Sequence, residues 1–92
     1  VVSDMYIVPT LFTPNGDGLN DEFEIMHRLD VEVLEFEIYN RWGNKVFNDP
    51  TQPWDGTFDG KEQPMGTYIY RGLLRLPNGT EEAVSGDITL IR

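Results

Sequence analysis

Residues 33–41 alternate clearly. Leu34, Phe36 and Ile38 fall on one side of an extended chain, and Glu35, Glu37 and Tyr39 fall on the other. A repeat of two sends successive side chains to opposite faces, which makes a half-buried β-strand and rules out an amphipathic helix. Residues 67–76 repeat the device, with Tyr68, Tyr70, Gly72 and Leu74 sharing a face. No stretch carries a sustained helical period, and there is no internal repeat. Pro50, Pro53, Gly56, Gly60, Pro64 and Gly66 interrupt residues 49–66 too often for a long helix or strand.

The rest of the chain follows the same rule. Residues 5–12 read as extended, with Pro9 at an edge position or a bulge. Residues 22–26 form a short strand with Phe23 and Ile25 on one face. Trp42-Gly43-Asn44 turns the chain, and residues 45–48 return as the second arm of a hairpin. Pro77-Asn78-Gly79 is a further hairpin signal, because Asn-Gly readily supplies the positive φ of a primed turn. Residues 80–84 and 87–91 close the fold, with Gly86 expected as a bulge between them. The fold class expected is all-β, an antiparallel sandwich of about seven short strands. Trp42 and Trp54 each lie near a turn glycine and are expected to cap the core. The other reading of these rings, exposed and stacked on sugars in a carbohydrate-binding sandwich, stays open until their burial is known.

At 92 residues the chain has room for one domain and one modest core. It does not begin with Met and lacks a basic-then-apolar leader, so it is expected to be cut from a longer protein. No apolar run approaches the ~18–20 residues that span a bilayer as a helix. The formal charge of −9, from 16 acidic and 7 basic residues, argues against nucleic acid as a partner, since phosphate neutralisation needs clustered Lys and Arg. It argues equally against anionic lipid. The charge supports solubility, and it also suits a cation or a basic partner. The absence of cysteine excludes disulfides, zinc–thiolate sites and thiol catalysis. Packing, with a metal ion as an optional aid, must then hold the fold.

An enzyme active site is hard to assemble from these residues, and no small-molecule substrate is expected. The single histidine, His27, stands beside Arg28 between two strands. Ser3 and Ser85 lack the Gly-x-Ser-x-Gly context of an activated nucleophile. No phosphate-binding loop or dinucleotide fingerprint is present. Asp55, before Gly56, reads as a turn acceptor.

One segment has the chemistry of a ligand site. Between Phe12 and Phe23 lie Pro14, two glycines, two asparagines, two aspartates and one glutamate. Proline fixes φ, glycine tolerates positive φ, and Asn and Asp bond back to the chain, so this is a shaped loop. Calcium loops place oxygen ligands at positions 1, 3, 5, 7, 9 and 12, with glycine at 6. With Thr13 at the first position, Asn15, Asp17, the Leu19 carbonyl, Asp21 and Glu24 take the others, and Gly18 takes the sixth. Thr13 replaces an expected aspartate, which removes one anionic ligand. The competing reading is an Asx-type turn in which Asn15 and Asp17 bond their own backbone. No cofactor is required, and Ca2+ is the candidate ion.

The motifs combine into a resemblance. They run Phe12-Thr13-Pro14-Asn15-Gly16-Asp17-Gly18-Leu19-Asn20-Asp21-Glu22-Phe23, then Ile38-Tyr39-Asn40-Arg41-Trp42-Gly43 with Val46-Phe47, Trp54-Asp55-Gly56, Gly66-Thr67-Tyr68 with Tyr70, and Gly86-Asp87-Ile88-Thr89-Leu90-Ile91-Arg92. In this order and spacing the chain resembles the gliding-motility-associated C-terminal domain (CHU_C-like) of Bacteroidota, the type B signal domain of the type IX secretion system. The likeness covers residues 9–92. It implies an immunoglobulin-like β-sandwich, with residues 1–92 as one C-terminal domain of a larger exported protein. It implies a non-catalytic secretion and sorting signal, carried through the periplasm and outer membrane to the cell surface or the medium. The implied partners are the type IX translocon and an outer-membrane protein of the PorP/SprF type. The family supplies no defined recognition residues. Asn15, Asp17, Asn20, Asp21, Arg41, Asp87 and Arg92 are inferred as the contact groups, in the 13–24 loop, the first turn and the last strand. The alternative is a calcium-stabilised structural or adhesion module of a cell-surface protein.

Overall fold

The computed structural model describes residues 5–14 and 21–92, and in them the chain is all-β. The strands are β1 (Tyr6–Ile7), β2 (Leu11–Phe12), β3 (Met26–His27), β4 (Glu32–Tyr39), β5 (Lys45–Asn48), β6 (Thr57–Phe58), β7 (Lys61–Glu62), β8 (Gly66–Arg75) and β9 (Glu81–Leu90). Five of them make one sheet in the order β2-β9-β8-β4-β5. The long strands β4, β8 and β9 are its centre; β4 and β8 coincide with the two period-two stretches, and β9 joins the two segments expected at 80–84 and 87–91 into one strand.

A second, thinner layer covers one face of this sheet and gives a sandwich-like arrangement. It consists of the β1–β3 pair, the β6–β7 hairpin and a single antiparallel bridge between Phe23 and Trp54. From the sheet, Phe36, Ile38, Tyr68, Tyr70, Leu74, Val84, Ile88 and Leu90 point inward. From the thin layer come Tyr6, Val8, Phe23, Ile25 and Trp54, and these side chains are all buried in one core. Phe23 lies at its middle, with ring centroids 5.9 Å from Phe12, 5.7 Å from Phe36 and 5.7 Å from Tyr70. No charged or polar residue is buried among the described residues. The core is therefore held mainly by apolar burial and aromatic packing, with the Trp54 indole N–H and the Tyr68 hydroxyl each donating to a backbone carbonyl, of Thr57 and Pro64.

Four sequence expectations change. The sheet is mixed, because β2 runs parallel to β9. Nearly the whole chain separates these two strands, so no tight hairpin imposes an antiparallel pairing on them. In β4 a bulge breaks the register at Leu34: Val33 pairs with Leu74 and Glu35 with Leu73. The extra residue shifts the phase, and Val33 packs on the core in the place expected for Leu34. Gly86 makes no bulge, since the β8–β9 ladder runs unbroken from Gly66↔Leu90 to Arg75↔Glu81. It is small for another reason: a Cβ there would stand 3.0 Å from the Tyr70 hydroxyl, whose ring lies across it.

The fourth change concerns turns. Leu76 accepts from the Gly79 N–H at 2.9 Å and its own N–H donates to Thr80 O at 2.8 Å. Among residues 77–79 only Gly79 has positive φ, at 87°. The loop is thus a three-residue hairpin closed by one left-handed glycine. The β4–β5 hairpin uses the same closure at Gly43, with Gly43 N–H to Asn40 O at 3.0 Å and Asn40 N–H to Asn44 O at 2.9 Å. The primed turn occurs instead at Asp59-Gly60, where φ is 54° and 76°, between β6 and β7.

The other face of the five-stranded sheet is open to solvent. On it Glu37 bonds the Lys45 ammonium at 2.8 Å and accepts from the Tyr39 hydroxyl at 3.1 Å. The Lys45 bond is the main cause that lowers the Glu37 pKa below its ordinary 4.5, followed by the opposing cost of burial and then the Tyr39 bond. A depressed carboxylate stabilises the fold fully above its unfolded pKa, and that contribution is lost as pH falls through the folded value. Stability is therefore expected to drop on acidification below about pH 4.5. Glu37→Gln should be less stable at neutral pH and should flatten that drop in urea titrations. An acid limb of unchanged steepness would remove Glu37 from this role.

Candidate functional site

The Trp54-Asp55-Gly56-Thr57 turn plugs one end of the sandwich. Asp55 Oδ1 accepts the Thr57 N–H at 3.0 Å and its hydroxyl at 2.7 Å, the closed ring of an Asx turn. Trp54 Nε1 donates to Thr57 O at 2.9 Å, so the buried indole leaves no polar atom unpaired. Its backbone exchanges two bonds with Phe23, at 2.7 and 2.8 Å. These tie the plug to the end of the 13–24 loop. Phe12, at the loop's start, has its ring 5.3 Å from that of Trp54. Both ends of the oxygen-rich loop are therefore fastened to the same buried tryptophan.

Arg92 locks this end further. Its Nη2 donates to Gly56 O and Gln63 O, each at 2.9 Å, and its Nη1 meets Glu62 at 2.7 Å. The residue inferred as a partner contact thus also fastens the 56–63 segment to the end of β9. Tyr68 lies close by. Burial raises its pKa, while the Arg92 and Arg41 guanidiniums pull it down. Two of the inferred contact residues, Arg41 and Arg92, are thereby brought to one end of a strongly acidic molecule.

Arg41 itself sits in the β4–β5 turn with its guanidinium 4.5 Å above the Trp42 ring. Trp42 is 66% exposed, which corrects its expected place in the core. The cause is local: Asn40 Oδ1 captures the N–H groups of Trp42 and Asn44, and the turn holds the indole outside the sheet. Sugar stacking by Trp54 is excluded by its complete burial. Around Trp42, Pro64, Met65, Gly66 and Thr67 line a shallow hollow with Arg41, and Met65 is 61% exposed. Trp and Arg are the side chains that most often carry binding energy at protein interfaces. The sequence reading missed Trp42 and Met65 as surface groups. Position in a turn was no signal for Trp42, because Trp54 also stands in a turn and is fully buried.

The remaining inferred residues scatter. Asp87 lies exposed in β9, and Asp21 is half-buried beside Phe23. Of the calcium set, Thr13 is half-buried after β2 and Glu24 is exposed between Phe23 and Ile25. Asn15, Asp17, Leu19 and Asn20 lie outside the described residues. Among the described residues no three metal-ligating side chains converge. His27 is exposed in β3, its Nδ1 2.8 Å from Arg28 O.

Comparison with curated proteins and with solved structures finds no significant match. The family model described as the CHU_C type IX secretion signal domain matches residues 6–90. That span runs from β1 to the end of β9 and includes the Trp54 plug, the Arg41–Trp42 turn and both flanks of the oxygen-rich loop. The chain belongs to the CHU_C family of type IX secretion signal domains.

Proposed function

We propose that this chain is a non-catalytic sorting signal, read by the type IX translocon together with an outer-membrane protein of the PorP/SprF type. The match to the secretion-signal family over residues 6–90 carries this reading. It implies that the parent protein is exported to the cell surface or the medium. The exposed Arg41, Trp42 and Met65 supply a docking surface of the right composition. The test is a fusion of residues 1–92 to the end of a periplasm-routed reporter in a Bacteroidota strain, compared with a translocon-deficient strain, with the cognate outer-membrane partner present in both. Export to the medium or surface only where the translocon is intact supports the reading. A folded reporter trapped in the periplasm overturns it.

The second reading is a calcium-stabilised structural module, and it is compatible with the first. It is favoured by the fastening of both loop ends, Phe12 and Phe23, to Trp54. Loop ends already held in place lower the ordering cost of assembling oxygen ligands between them. A ligand at a hundred times its Kd adds about 2.7 kcal/mol of stability. Millimolar Ca2+ should therefore raise Tm clearly, and Asp17→Ala should abolish the rise. An unchanged Tm leaves only the Asx turn.

A further inference from the structure

Among the described residues, the last strand of the sheet is only partly covered. On one side β9 pairs with β8 along all ten of its residues. On the other side β2 pairs only with Thr89 and Leu90. The Thr89 N–H donates to Thr10 O and the Ile91 N–H to Phe12 O. N–H direction repeats every second residue along a strand, so Ala83, Ser85 and Asp87 aim their amide groups the same way, past the start of β2. Pro9, just before Thr10, leads β2 away from pairing with them. Among the described residues no backbone bond meets the outward groups of Ala83 or Ser85. Both residues are exposed, as is Asp87.

Such an edge is a template for another strand, and proteins usually blunt theirs with proline, lysine or a bulge. This one has none of the three. Its charges are Glu81, Glu82 and Asp87, with no Lys or Arg in the strand, and of these Glu82 is already engaged by the Tyr6 hydroxyl of β1. Glu81 faces Arg75 at 3.6 Å, and Arg71 lies opposite Ser85 one strand inward. The rim that an added strand would meet first is acidic. A second copy of this chain would bring acid against acid, which disfavours self-pairing. The small side chains of Ala83 and Ser85 leave the open face clear beside that rim.

We propose that the uncovered edge at residues 82–87 accepts an extended basic segment of the outer-membrane export partner as an added β-strand. The proposal rests on the export reading for its occupant. The contact would be made through main-chain bonds to Ala83, Ser85 and Asp87, with Lys or Arg of the added strand near the Asp87 carboxylate.

The test uses the same reporter fusion. Ser85→Pro deletes an N–H that the fold does not use, at an edge position where proline is tolerated. Ser85→Ala keeps it. A second variant, Ser85→Lys with Asp87→Lys, keeps every N–H and turns the charge of residues 82–87 from −2 to +1. Tm of each purified variant establishes that it folds. The expected result is that Ser85→Ala exports like the parent, while the other two fold and lose export by about tenfold, as for one lost hydrogen bond or charge pair. A photo-crosslinker at Ala83 should map to a basic extended segment of the partner. If folded Ser85→Pro and the charge-reversed variant are exported normally, the edge proposal falls and the export reading stands. An unmodified fusion that stays in the periplasm overturns both. A dimer in solution that Ser85→Pro dissolves would assign the edge to a second copy and overturn the proposal.

Discussion

Trp54→Ala is expected to leave the chain largely unfolded. The indole is fully buried, packs at 5.3 Å from Phe12 and 5.1 Å edge-on to Tyr68, and donates its N–H to Thr57 O. Replacing a buried Phe or Trp by Ala costs about 3–5 kcal/mol, through lost transfer energy and the cavity left behind. Small domains have about 5–15 kcal/mol in total. The effect should exceed the transfer cost, because the same residue anchors Phe23 and both ends of the 13–24 loop. Trp42→Ala is the built-in contrast. Its ring is mostly in water and its contact with Arg41 is worth about 0.5–1 kcal/mol. Urea midpoints of the two variants should separate widely. Equal midpoints would mean that Trp54 does not close the core.

Gly56→Ala should be the next most damaging change, although it adds a single methyl group. Gly56 has φ of 86°, a region that costs a residue with a side chain about 1–3 kcal/mol. The added Cβ would stand 3.2 Å from Arg92 Nη2, 3.2 Å from Pro14 Cγ and 3.3 Å from Leu90 Cδ1. Each contact is tight, and the three come from the loop, the end of β9 and Arg92 two residues beyond it. The Arg92 guanidinium can move only by giving up its bond to Gly56 O. The predicted outcome is a loss of about 2–4 kcal/mol, the backbone strain plus overpacking. Gly60→Ala separates the two causes. It also has positive φ, at 76°, but nothing lies within 4 Å of its Cβ, so only the strain should remain. If both changes cost the same, crowding at Gly56 contributes nothing.

The long strands were legible before the structure. In β8, and in β4 beyond Leu34, the period of two is carried by enough residues to fix which face is wet, whereas β9 was expected as two pieces, 80–84 and 87–91, and is one strand. The short pieces were less legible. Strands of two residues, such as β1, β3, β6 and β7, have no period to read. The Asp59-Gly60 primed turn was hidden in a stretch dense with Gly and Pro. The bulge at Leu34 illustrates the same limit. One extra residue inverts the phase of a strand, and nothing in Glu32-Val33-Leu34-Glu35 marks where the partner strand inserts it.

The two tryptophans show the division most clearly. The amino-acid sequence by itself determined that this chain is all-β, and its ordered motifs pointed to a secretion-signal family, because period and turn chemistry are local properties. Tertiary structure alone decided that Trp54 closes the core and Trp42 faces water. Both stand just ahead of a turn glycine, Gly43 and Gly56, so local rules cannot separate them. What separates them is distant in sequence: Phe23 and Phe12 supply a wall for Trp54, whereas Asn40 turns Trp42 away from any second layer. The uncovered half of β9 is likewise a property of assembly. Whether an edge is open depends on where another strand begins, and β2 begins its pairing with β9 only at Thr89.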